Sequence, residues 1–99
     1  MIQVKLTKEK NKTTITARGH AQYSVKGSDI VCASFSTLLT HTVNNCTDVA
    51  VKDERGLFTA KFEDVNSIGN QTMLKAFENT VNQLAEQYGK YITVEEVSL

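Results

Sequence analysis

Hydrophobic and polar positions alternate from the second residue onward. Ile2, Val4 and Leu6 stand against Gln3, Lys5 and Thr7, the period-two pattern of a half-buried strand. The polar run at residues 8 to 12 predicts a turn. Residues 13 to 19 are rich in β-branched side chains, with Ile15 and Ala17 on one face, and predict a returning second strand. No period is visible from His20 to Ser28, and Gly27 lies near the end of that stretch, so it reads as a loop. Ser28 or Asp29 then suits a helix cap, because a short side-chain oxygen accepts from the unpaired amides of a first turn. That helix is expected to run to Asn44 or Asn45, with Val31, Phe35, Leu38 and Leu39 inward. Cys32, Ser36 and Leu39 form a neighbouring stripe at i, i+4 and i+7.

Residues 48 to 52 (DVAVK) and 57 to 62 (LFTAKF) predict two short strands, joined by a hairpin loop of Asp53, Glu54, Arg55 and Gly56. A second helix starts at Asn66 or Ser67. Its apolar face is Leu74, Phe77, Val81, Leu84 and Tyr88, at spacings of 3, 4, 3 and 4. Gly89 is expected to end it as a left-handed cap, and a last strand opens at Tyr91 and reaches about Val97. The order is therefore ββαββαβ. It predicts an α+β fold, a two-layer sandwich with a mostly antiparallel five-stranded sheet and both helices on one face. The strand order does not follow from the pattern.

Composition narrows the picture. A chain of 99 residues, with no proline and no compositional break, predicts one domain over residues 1–99. Basic and acidic side chains balance at 11 each. That gives little pull toward nucleic acid, which needs a basic face. Lys5, Lys8, Lys10 and Lys12 do cluster, and suit a solvated strand edge and hairpin tip. No apolar run has membrane-spanning length and the first residues do not read as a signal peptide, so the expected location is the cytoplasm. Two cysteines in such a chain predict thiols rather than a disulfide framework. If one helix separates Cys32 from Cys46, they lie about 21 Å apart at about 1.5 Å per residue, beyond the reach of a disulfide.

The loop between the second strand and the first helix carries the candidate chemistry. His20 opens it and Cys32 follows its end. A cysteine attacks as the thiolate. The first turn of a helix, with its free amides and positive dipole end, would favour that anion, and the same amides would stabilise an oxyanion. His20, if the fold returns it to this turn, would accept the proton. The plainer reading is a small buried cysteine and a surface histidine. His41 lies more than two turns beyond Cys32 and is expected to be exposed or a packing residue. Cys46 has no neighbouring histidine and reads as structural. The cysteines and histidines lack zinc-site spacing, no glycine-rich phosphate loop is present, and no cofactor is expected.

The run Gly19-His20-Ala21, followed by Asp29-Ile30-Val31-Cys32-Ala33 and then Ser36, resembles the signature of the ribosomal-processing cysteine proteases called Prp. That signature is GHA, a variable loop, D-x-V-C-A and a serine four residues past the cysteine. Length and element order fit along the whole chain. The resemblance implies a cysteine endopeptidase that removes the N-terminal extension of a bacterial large-subunit ribosomal protein, cutting after aromatic residues. It implies that Cys32 is the nucleophile and His20 the general base and later acid, with Gly19, Asp29 and Ser36 in support. It also suggests a homodimer.

Physical roles follow for the supporting positions. Gly19 would turn the backbone sharply and leave room for substrate. Asp29 would cap the helix or else orient His20. Ser36, one turn past Cys32, would bond near the site or back to its own helix. Ala21, Gln22, Tyr23, Ser24, Val25, Lys26 and Gly27 are expected to form a gate that orders when substrate binds, since only Tyr23 and Val25 are sizeable apolar anchors. Two other classes compete with the protease. One is a non-catalytic ribosome-associated binding module using the lysine-bearing hairpin. The other is a thiol redox sensor, for which no resolving cysteine lies near Cys32 in sequence.

Overall fold

A computed structural model describes residues 1–19 and 28–99, with the backbone alone of Ser28 and Asp29. The elements are β1 (Ile2–Lys8), β2 (Thr13–Arg18), α1 (Ser28–Asn44), β3 (Val49–Glu54), β4 (Leu57–Phe62), α2 (Ile68–Gln87) and β5 (Ile92–Ser98). One five-stranded sheet has the order β3-β4-β2-β1-β5. All pairs are antiparallel except β1 with β5, which run parallel. The expected α+β order and the mostly antiparallel sheet are what the molecule has.

Alternation decides which face each strand buries. Ile2, Val4 and Leu6 on β1, Ile15 on β2, Ala60 and Phe62 on β4 and Ile92 on β5 are buried together with Val31, Phe35 and Leu39 of α1 and Phe77 and Val81 of α2. The register places Leu6 opposite Ile15 and Ile15 opposite Ala60, so these side chains share one face. Both helices cover that face and meet at an edge-on ring contact between Phe35 and Phe77, with centroids 6.5 Å apart. Leu74, Leu84 and Tyr88 pack at the margin of the same core.

Four expectations change. β1 is not an edge strand: it lies between β2 and β5, because the last strand returns to pair with it. Its lysines are correspondingly tied down, Lys5 to Glu95 at 3.6 Å and Lys8 to Glu78 at 2.9 Å, while Lys12 in the turn pairs with Glu9 at 3.3 Å. The β3–β4 loop is shorter than the four residues expected. Glu54 pairs with Leu57, and Arg55 and Gly56 both have positive φ, 51° and 81°, the two-residue turn whose twist matches paired strands.

Gly89 is not a left-handed cap, since the positive-φ glycines among the described residues are Gly19 and Gly56. α2 instead closes through Tyr88, whose N–H donates to the Leu84 carbonyl and whose own carbonyl accepts from Tyr91 and Ile92. Finally, α1 already includes Ser28 and Asp29, so neither occupies the flanking position of an N-cap. Whether their side chains bond the first turn lies outside the described residues.

Two buried polar residues continue apolar stripes. Thr42 donates its hydroxyl to the Leu38 carbonyl at 2.9 Å. Asn70, 2% exposed, joins three segments: its Nδ2 donates to the carbonyls of Thr47 (2.9 Å) and Asp64 (2.7 Å), and its Oδ1 accepts from the Thr47 amide at 2.9 Å. Its own amide donates to the Ser67 hydroxyl, which caps α2. One side chain thus fastens the start of α2 to both connections flanking the β3–β4 hairpin, with every polar atom satisfied.

Candidate active site

The sheet is five strands wide and the helical layer two helices wide, so among the described residues one end of the sheet is left uncovered. α2 packs against α1 and β5, which places the gap on the β3 side. Val51 of β3 pairs with the fully buried Ala60, and so points to the helix-bearing face, yet it is 49% exposed. The space between α1 and this overhang is an open groove of about 370 Å³. Its apolar surface comes from Ile2, Ala17, Val51 and Phe58 of the sheet and Phe35, Leu39 and Val43 of α1. Ser36, Thr40, Asn44 and Asp53 supply polar groups, and Gly19 and Gly56 complete the lining.

Cys32 also lines this groove, partly exposed as a free thiol. It is the fifth residue of α1, so it opens the second turn rather than sitting in the first. Its own amide is therefore past the four unpaired N–H groups of the helix start, and the anion-favouring end of the helix lies one turn before it. Ser36 follows one turn later in the same groove, exposed, and among the described residues its hydroxyl makes no hydrogen bond. The back-bond made by Thr42 is absent there, which leaves the Ser36 hydroxyl available to a ligand.

Gly19 stands where β2 ends, with φ of +96°. A Cβ built on it would overlap the carbonyl oxygen of Met1. Both facts demand glycine: the backbone is left-handed, and the neighbouring chain occupies the side-chain position. The space is thus taken by β1's approach rather than held open for substrate. Of the residues expected to act together, the structure brings Gly19, Cys32 and Ser36 to one groove. His20 and the expected gate, Ala21 to Gly27, lie outside the described residues, as does the side chain of Asp29.

The remaining candidates sit elsewhere. His41 is exposed in the last turn of α1, its carbonyl accepting from Asn45 Nδ2 at 2.8 Å. Cys46 is half-buried against the core, and burial pushes its thiol pKa up, away from easy ionisation. Among the described residues no group of three or more metal-ligating side chains converges, and no helix is long and apolar enough to cross a membrane. Sequence reasoning missed the sheet side of the groove. Val51 and Phe58 read there as ordinary strand positions, and only the strand order shows that no helix covers them.

A free thiol in an open, largely apolar groove, beside a glycine-fixed turn, is an arrangement compatible with cysteine hydrolase chemistry. The family described as cysteine protease Prp matches residues 1–93; the chain belongs to that family and is a cysteine protease. No curated protein matches it significantly. Among solved structures, the SMU.848 protein of Streptococcus mutans is similar at 25% identity and a TM-score of 0.79, over 100% of this chain and 96% of that one. The essential ribosomal processing protease Prp of S. aureus, solved with a substrate peptide, is similar at 25% identity and a TM-score of 0.84, over 97% of this chain and 99% of that one. The same S. aureus protease with a covalently linked product peptide gives 28% identity and a TM-score of 0.79, over 97% of this chain and 99% of that one.

Proposed function

We propose that this protease removes the N-terminal extension of a bacterial large-subunit ribosomal protein, cutting after an aromatic residue, with Cys32 and His20 as its catalytic pair. The observation that carries the reading is the placement of Cys32 in an apolar groove with Gly19 and Ser36, three positions of one compound motif. The S. aureus relative, a ribosomal processing protease solved with peptide, supports the substrate class. An apolar groove also suits aromatic side chains, which bring a large area to bury.

In this reading the Cys32 thiolate attacks the scissile carbonyl and the C–N bond breaks. The carbonyl carbon is left on sulfur as a thioester, and His20 delivers a proton to the departing amine. Water, deprotonated by His20, then attacks the thioester, releasing the acid and restoring the thiol. No metal or redox partner enters this balance. Asp29 supports the start of α1 or the histidine. Family likeness supports a homodimer, and the cytoplasm is the expected place of work. The paired lysines of β1 and its turn count against a nucleic-acid-binding role for that hairpin.

The test is to incubate the purified protein with a precursor ribosomal protein bearing its extension and to weigh the fragments. The expected result is one cut, immediately after an aromatic residue, that disappears when the extension is absent. An intact precursor after prolonged incubation with folded protein would overturn the reading.

A further inference from the structure

The groove is apolar except along its rim, and its charge is uneven. Among its described lining residues Asp53 and Cys32 are the ionisable ones. Asp53 follows Val49 and Val51 on the helix-bearing face of β3, and the register sets it opposite Phe58, itself opposite Ala17. Its neighbours Lys52 and Glu54 point to the other face of the sheet and pair with each other at 3.4 Å. Among the described residues the Asp53 carboxylate has no hydrogen bond or ion pair. A carboxylate in that position beneath a covering helix would be strongly unfavourable. It stands here because the overhang leaves it open to whatever fills the groove.

We propose that Asp53 is a specificity residue, selecting peptides with lysine or arginine about three residues from the scissile bond and disfavouring acidic residues there. This rests on the protease reading above. The distance follows from the sheet. Two inter-strand steps separate Asp53 from Ala17, which is about 10 Å, or about three residues of extended peptide at about 3.3 Å each. A peptide whose scissile bond lies against the Ala17 and Gly19 end of the groove would therefore present its third residue to Asp53. A cation held there would bury its aliphatic stem on Val51 and Phe58 while its head meets the carboxylate.

The experiment uses peptides spanning the cut of the ribosomal-protein extension, with lysine, glutamine or glutamate placed in turn at each of the four positions on either side. kcat/KM is measured for the parent, Asp53→Asn and Asp53→Lys. One position should favour lysine over glutamate by about fivefold, as expected for a partly exposed pair. The ratio should fall toward one in Asp53→Asn, invert in Asp53→Lys, and shrink at high salt for the parent.

Ratios unchanged in both variants would overturn the proposal. So would an equal loss for all peptides, which would mark Asp53 as a support for site geometry. The same ratios are read as binding affinities by fluorescence anisotropy with the Cys32→Ser protein. If the parent cleaves nothing, a charge preference in binding that Asp53→Lys inverts keeps Asp53 as the charge reader and discards only the reaction. No preference in binding discards both.

Discussion

α1 and α2 share one layer and one core, but they use their sequences differently. α2 is fastened to its neighbours at several points. Ser67 caps it, Asn70 ties its start to two connections, and Glu78 and Asn82 reach the sheet through Lys8 and Glu96. α1 gives one stripe to the core and leaves the next uncovered. Cys32, Ser36, Leu39, Thr40 and Val43 line the groove. Only Leu39 of these belongs fully to the core. In this fold a helix flank that the sheet overhangs, and that no element among the described residues covers, is where reactive groups can meet a substrate. The division makes a sharp expectation: changes on α1's open flank should remove catalysis at little expense in stability, and changes along α2 should do the reverse.

The largest effect is expected at Cys32. Serine is nearly isosteric but far less ionised, so Cys32→Ser should lower turnover by more than about a thousandfold while the thermal midpoint stays near the parent's. Cys46→Ser, at the thiol just past the end of the same helix, should leave turnover near the parent's. Cleavage assays beside melting curves check both. A serine variant of Cys32 that still cleaves at the parental rate, or a Cys46 variant as inactive as it while folded, would erase the contrast.

His20→Ala should remove nearly all turnover, by about a hundredfold or more, since general acid–base transfer supplies about that much. Single-turnover cleavage measures it directly. A variant with parent-like rates at neutral pH would strip His20 of its role. The other histidine, His41, lies exposed at the far end of α1, nine residues beyond the thiol.

Asn70→Ala moves the test to α2. It strands the Thr47 amide and two carbonyls, so it should lower stability by about 2–3 kcal/mol, read from denaturant midpoints at an unchanged slope. Turnover per folded molecule should hold at low temperature. A stable but inactive variant would mean that the clamp acts on the groove, and the two helices could no longer be assigned separate work.

These particular residues also mark what the sequence could tell. Strict alternation in β1 and β2 and the 3, 4, 3, 4 spacing of α2 reported burial directly, because each face has one environment along its length. Asn70 precedes Leu74 by four and Phe77 by seven, so it extends the same stripe backward. A polar residue at such a position is a signal of a buried clamp, as is Thr42 after Leu38. The groove was half legible. Gly19, Cys32 and Ser36 stand in one motif, but Val51, Asp53 and Phe58 become groove residues only through the order β3-β4-β2-β1-β5. Strand order is set by non-local pairing, which no local period encodes. Gly89 shows the reverse failure: its type suited a left-handed cap, and tertiary contacts closed the helix on Tyr88 instead.

The smallest effect tests the edge of the comparison, where α2 meets the sheet through charge. Lys8 Nζ lies 2.9 Å from Glu78. The hydrogen bond from Lys8 holds the Glu78 carboxyl below its ordinary pKa, outweighing the opposing effect of burial, with Glu96 and Lys75 adding to the lowering. A carboxyl with a depressed folded-state pKa stabilises the fold above its unfolded value, about 4.3. That contribution fades as pH falls through the folded value. Glu78→Gln should therefore lower stability by no more than about 1 kcal/mol at neutral pH, because Lys8 is partly exposed and water weakens the pair. The gap between parent and variant should close as pH drops below about 4. Urea unfolding of both proteins across that range measures it, with cleavage at neutral pH expected to stay at the parent's rate. A gap that persists undiminished in acid would mean that Glu78 acts through packing and not through charge. A gap that widened would show that the carboxyl is more easily protonated in the folded protein than in the unfolded chain, the opposite of what its contact with Lys8 requires.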